Sequence, residues 1–203
     1  MIQRVDWHDH AAIKAVAEKI KNGAVVAGTS DTVLGLLAKA SHAGKNELDR
    51  IKQRSGMPYL VLVPSFQAAR TLSPVLQSGP VAQMAQAFWP GPLTLIVPAG
   101  KDVPDYLQSP TGGIAVRVPD HAGLQELLSE CGMLFSTSAN LSGHPVPERF
   151  SDIDPAIAGQ MAYLVGPQQD STVIPSTILD CTQAKIKIIR EGAISKELLK
   201  TFI

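Results

Sequence analysis

CGMLFSTSANLSGHPV (residues 131–146) passes from an apolar segment straight into a row of small polar side chains. Met133, Leu134 and Phe135 read as a short buried strand. Ser136, Thr137, Ser138 and Ser142 then supply four hydroxyls, and Asn140 an amide, within seven residues. A plain turn needs one or two such groups. Polar groups massed at the end of a strand are what an open α/β sheet offers a ligand. A helix cap uses the same residue types, so the stretch alone leaves both readings open.

The flanking sequence sets the fold class. Ile13, Val16, Ala17 and Ile20 recur at helical spacing, and Gly23 follows as a stop. AVVA (24–27) reads as a buried strand, GTSDT (28–32) as a polar loop, and VLGLLA (33–38) as apolar again. NELDRIKQR (46–54) is helical, YLVLV (59–63) a strand, and helices are expected around 66–72 and 80–88. WPGP (89–92) is a sharp turn. TLIVPA (94–99) and GIAVRVP (113–119) read as strands, and 121–131 as a helix. YLV (163–165), STILD (176–180) and IKIIR (186–190) are late strands, followed by a helix over 195–203 with Ser195 as N-cap. Strands and helices alternate, but the late strands have little helix between them. The expectation is an α/β fold with a mixed parallel and antiparallel sheet, in a single domain spanning 1–203.

Composition narrows the function. The chain has 203 residues, 45% of them hydrophobic, enough for a sizeable core. Lys+Arg and Asp+Glu each number 18, so the formal net charge is zero, unlike a general nucleic-acid binder. Cys131 and Cys181 lie in or beside apolar runs and read as buried thiols. No cysteine or histidine spacing suits a metal, and no metal site is expected. The N-terminus lacks the apolar run of a signal peptide, and no segment approaches the length of a membrane span. A cytoplasmic protein is expected.

Four polar clusters fall at predicted strand ends: GTSDT, KQR (52–54), STSANLSG (136–143) and PST (175–177), with Arg190 closing IKIIR. Arg117 interrupts an apolar strand. Each has a plainer reading: a loop, a solvated helix end, a cap, or, for Arg117, a residue facing water on an amphipathic strand. Together, hydroxyls and two or three cations suit an anionic small molecule, for example a nucleotide. No Walker A, GxGxxG or kinase signature is present, and His121 and His144 have no GxSxG partner.

The clusters resemble, in order, the motifs of the YrdC/TsaC family, the threonylcarbamoyl-AMP synthases. GTSDTVLGLLA is similar to P-T-D/E-T-V-Y-G-L, KQR to K-x-R, and FWPGPLTLIVPA to the WPGP-hydrophobic segment. IAVRVPDH is similar to A-V-R-x-P, STSANLSG to S-A-N-x-S-G, and PSTILDCT with IIREGAI to S-T-[IV]-x-D and [IL]-R-x-G-x-I. The six blocks span residues 24–194. The resemblance implies a twisted open sheet with flanking helices around a concave, locally positive cavity. It implies synthesis of L-threonylcarbamoyladenylate and pyrophosphate from L-threonine, bicarbonate and ATP, with Mg²⁺, for a modification beside the tRNA anticodon. Contact with tRNA or with the downstream threonylcarbamoyl transferase would go with that activity. Thr32, Arg117, Ser136 and Ser176 would hold threonine; Lys52, Arg54, Ser138, Asn140 and Arg190 would hold ATP. No residue is assigned as a catalytic nucleophile or base, because alignment and charge neutralisation suffice.

The chain departs from the family pattern in places. Leu34 stands for the usual Tyr, which would remove a ring from the cavity wall. SGMPYL (55–60) shortens the loop after KQR, and Val146 falls where some members carry a serine. Two other readings stay open on these grounds: a paralog acting on another carbamoyl or acyl adenylate, and an RNA-binding module without synthesis.

Overall fold

A computed structural model describes residues 2–54, 56–167 and 174–202. Ser55, within the shortened loop, and Ile203, within the last expected helix, lie outside the described residues. In chain order the elements are β1 (Gln3–Val5), α1 (His10–Lys21), β2 (Val26–Gly28), β3 (Gly35–Lys39), α2 (His42–Lys52), β4 (Leu60–Leu62), α3 (Phe66–Arg70), α4 (Pro80–Phe88), β5 (Leu93–Pro98), β6 (Gly113–Arg117), α5 (Ala122–Cys131), β7 (Leu134–Ser138), α6 (Pro155–Ala158), β8 (Tyr163–Val165), β9 (Thr177–Asp180), β10 (Lys187–Arg190) and α7 (Lys196–Leu199).

All ten described strands join one sheet in the order β1-β8-β2-β3-β7-β4-β6-β5-β9-β10. β8 pairs parallel with β1 and β2, β4 with β6, and β5 with β9; the other neighbours are antiparallel. This is the mixed sheet expected from the closely spaced late strands. Strand alternation sends one set of side chains to each face. Leu36, Val61, Leu95, Val116 and Phe135 join the larger core cluster, with Leu48, Ile51, Met84 and Ala85 from α2 and α4. On the opposite face Leu37, Leu62 and Leu134 pack with Ile13, Val16 and Ile20 of α1 and Leu124, Leu127 and Leu128 of α5.

Helix starts follow local chemistry. The Asp9, Ser41 and Ser65 side chains accept backbone N–H groups at the starts of α1, α2 and α3, and Pro80 opens α4. Ser195 precedes α7 as expected, but its side chain makes no capping hydrogen bond. Two expectations shift. α2 begins four residues before Asn46 because Ser41 caps it. β7 does not stop at Phe135; it continues through Ser136, Thr137 and Ser138, which pair with Leu37, Leu36 and Gly35. No helix follows that row directly, so it is a strand edge of a cavity and not a cap.

Candidate active site

A cavity of about 250 Å³ opens on the same sheet face as α1 and α5, where those helices leave the strands uncovered; Leu37, Leu62 and Leu124 are among its lining residues. Its floor is apolar: Leu60, Ile96, Ala115 and Ile178. Its walls carry Thr32, Arg117, Ser136, Ser138, Ser176 and Arg190, six of the nine binding residues expected from the sequence. Two guanidinium groups and no carboxylate stand among the lining residues.

Alternation explains how the strands deliver these groups. Ser136 and Ser138 share a face of β7, and Ala115 and Arg117 share a face of β6. Arg117 therefore faces the cavity, not bulk water, and is 3% exposed. Its Nη1 donates to Thr32 Oγ1 at 2.8 Å and its Nη2 to Asp31 Oδ1, while Nε is buried without a partner. Burial pulls the Arg117 guanidinium below its ordinary pKa; Asp31 opposes this, and Arg190 adds to it. A guanidinium still remains charged at neutral pH.

Arg190 reaches the cavity through an irregularity in β10. The register shifts between Ile188 and Arg190, which sets Arg190 opposite Ile178 and leaves Ile189 exposed. Arg190 Nε and Nη2 both donate to the Ser176 carbonyl, at 3.0 and 2.9 Å, and Nη2 lies 3.2 Å from Ser176 Oγ. Ser176 Oγ is also 2.9 Å from Thr94 Oγ1. Gly192 lets this segment close: a Cβ there would lie 2.1 Å from the Pro175 carbonyl oxygen.

Lys52, Arg54 and Asn140 are not among the residues lining the cavity; Lys52 and Asn140 adjoin it through hydrogen bonds to Ser138. Lys52, at the end of α2, is 2% exposed, which rules out a solvated helix end. Its Nζ donates to the Ser138 carbonyl at 2.7 Å, to the Asn140 carbonyl, and to Asn140 Oδ1 at 3.2 Å. Burial, with Arg54 nearby, pushes the Lys52 pKa down to about 8. Arg54 follows Gln53, which caps α2 in the left-handed region at φ 51°. Its guanidinium lies 4.7 Å from the Tyr59 ring centroid, and its buried Nε has no partner.

Sequence reasoning assigned no role to Asp31, which sits between Ser30 and Thr32 in GTSDT, a stretch read as a polar cluster at a strand end and as a family motif. It also assigned none to Thr29, in the same cluster, or to Thr94, a lone hydroxyl in a strand, and it missed the apolar floor. Leu34 lies in the core and not at the wall. It is 1% exposed within the larger core and does not itself line the cavity.

A mixed sheet with an arginine- and hydroxyl-lined cavity over an apolar floor defines an α/β protein built to take a small anionic ligand. Comparisons with known proteins narrow this. The Sua5/YciO/YrdC family model, described as "Telomere recombination", matches residues 18–192. The threonylcarbamoyl-AMP synthase of Pyrococcus abyssi is 29% identical over 94% of this chain and 57% of its own length. That of Vibrio cholerae serotype O1 is 30% identical over 89% of this chain and 97% of its own. The crystal structure of P. abyssi Sua5 complexed with L-threonine superposes with a TM-score of 0.88 at 26% identity, covering 100% of this chain and 61% of that one. The chain belongs to the Sua5/YciO/YrdC family. It spans little more than half of the archaeal relative.

Proposed function

We propose that this chain is a threonylcarbamoyl-AMP synthase, a nucleotidyltransferase that joins L-threonine, bicarbonate and ATP into L-threonylcarbamoyladenylate and pyrophosphate. The observation that carries this reading is the convergence of Thr32, Arg117, Ser136, Ser138, Ser176 and Arg190 on one cavity. The relatives' names and the threonine-bound P. abyssi structure support the substrate.

Arg117 suits the threonine carboxylate, because its planar guanidinium lines the cavity and matches a carboxylate. Thr32, Ser136 and Ser176 would orient the amino acid. The ATP phosphates would lie toward Arg190, Ser138 and Asn140, with Lys52 and Arg54 behind them. The threonine amine attacks the bicarbonate carbon and water leaves, forming a carbamate. A carbamate oxygen then attacks the α-phosphorus, and pyrophosphate departs. Neither step requires a protein nucleophile; the cavity aligns the reactants and neutralises charge. Among the described residues no group of three His, Cys, Asp or Glu converges as a metal cage. The donor set therefore fits Mg²⁺ entering on the triphosphate as part of the substrate.

A single domain over 1–203 is part of the proposal, supported by the shared sheet. So is service to the tRNA threonylcarbamoyl modification, with tRNA or the downstream transferase as partner. No helix among the described residues is long and apolar enough to cross a membrane, and a cytoplasmic setting accords with tRNA modification. The test is pyrophosphate release by purified protein. Release should require both L-threonine and bicarbonate. ATP binding with no response to threonine would favour the paralog, and strongly salt-dependent RNA binding without ATP binding would favour the RNA module.

A further inference from the structure

Asp31 stands behind Arg117, and the proposed chemistry leaves it without a task. Its side chain is 11% exposed, and both its oxygens are committed to the chain. Oδ1 accepts from Arg117 Nη2, and Oδ2 accepts the Asp120 backbone N–H at 3.0 Å. Thr32 Oγ1 holds the other end of the fork, and is itself 3.1 Å from Ser30 Oγ. The two terminal nitrogens of Arg117 are thus tied down on separate sides, and Nε is left free of any protein acceptor. Arg190 lines the same cavity, so without Asp31 the walls would carry two uncompensated cations.

We propose that Asp31 is the positioning and charge-setting residue of the amino-acid subsite: it locks the Arg117 guanidinium in place and cancels one of the two cavity charges, so that the site selects a monoanionic carboxylate over a dianion. The inference rests on the proposed function for the identity of that carboxylate. Removal of the Asp31 charge leaves Arg117 and Arg190 facing one cavity, an arrangement that favours inorganic phosphate.

The experiment compares wild type with Asp31→Asn, which keeps the shape, and Asp31→Ala. Threonine and inorganic phosphate are titrated calorimetrically without ATP, and KM is measured for threonine and ATP. In Asp31→Asn, threonine should bind about tenfold more weakly, roughly the worth of one hydrogen bond to a charged group. KM for ATP should stay within about twofold, the scatter of an uncoupled site. Phosphate should compete with threonine in the variant and not in wild type. Unchanged threonine affinity would overturn the proposal, as would threonine and ATP constants rising together with no gain in phosphate binding. If Asp31→Ala does not fold, Asp31→Asn carries the test. The phosphate titration reads Asp31 even in a protein that releases no pyrophosphate. A wild type without threonine-dependent release defeats the functional reading, whereas an active wild type matched by Asp31→Asn defeats only this one.

Discussion

Lys52 Nζ donates to the Ser138 carbonyl oxygen at 2.7 Å, tying the end of α2 to the end of β7. The same ammonium holds the Asn140 carbonyl, so one buried cation fixes the hydroxyl wall where the nucleotide is proposed to lie. Burial and Arg54 bring Lys52 down to about 8, against 10.5 for a free lysine. The cation is present below that value and is lost as pH rises through it. KM for ATP should therefore climb between roughly pH 7 and 9, about one unit either side of the midpoint. A Lys52→Met variant should show a raised KM without that rise. Stability runs the other way. From about 8 to 10.5 the unfolded chain binds more protons at this site, so the Lys52 contribution becomes more favourable with rising pH. Identical ATP profiles in wild type and variant would assign the titration to another group.

Arg117 is a test of function and of folding together. A residue that only bound threonine would lose activity on Arg117→Ala with the fold intact. The buried pair with Asp31 changes that expectation. Truncation leaves a carboxylate facing no cation, at a cost of about 3–5 kcal/mol. The thermal midpoint should drop by roughly 6–20 °C for a chain of this size. Arg117→Lys keeps the charge but not the fork. It should keep more of the stability while raising KM for threonine by roughly tenfold to a hundredfold. Differential scanning calorimetry and threonine titration separate the two effects.

Arg190 gives a cleaner functional test, because it is exposed along part of its length and its protein acceptors are the Ser176 carbonyl and hydroxyl. Arg190→Ala should lower kcat/KM for pyrophosphate release by roughly tenfold to a hundredfold, the range for a hydrogen bond to a charged group. The thermal midpoint should move by only a few degrees. Arg190→Lys should rescue little, since one ammonium replaces two donors converging on one carbonyl. Full activity in both variants would remove Arg190 from the site.

The fold class was legible because buried strands announce themselves as short apolar runs: YLV (163–165) is β8 to the residue. β1 was not legible. Gln3–Val5 offers three residues with no alternation to read, and its pairing with β8 is set by tertiary contact. Ser136–Ser138 misled in a more instructive way. Hydroxyls inside a strand look like the end of one unless a cavity makes a polar face worthwhile, and that face exists only once β3, β4 and β6 are alongside. Arg117 carried the same ambiguity, since period-two alternation tells which face a residue takes and not what that face meets. Leu34 went the opposite way, from a supposed wall position into the core. Asp31 was invisible as a partner because 86 residues separate it from Arg117.

Trp7 ties the cavity rim to the helices beneath it. Its Nε1 donates to Thr29 Oγ1 at 2.9 Å, and Thr29 lines the cavity. The indole lies so close to α5 that a Cβ on Gly123 would sit 2.6 Å from Trp7 Cβ and 2.7 Å from its ring. In an ordinary helix Gly→Ala gains about 1 kcal/mol. Here the clash should reverse the sign, and overpacking of this kind costs about 1–3 kcal/mol. Gly123→Ala should lower the thermal midpoint by roughly 2–12 °C, and displacement of Trp7 should weaken threonine binding through Thr29. A second change, Trp7→Leu, removes the clashing ring. Gly123→Ala should then cost less in the Trp7→Leu background than in wild type, a coupling read from a double-mutant cycle of thermal midpoints. Equal costs in the two backgrounds would show that Gly123 is needed for some reason other than the indole.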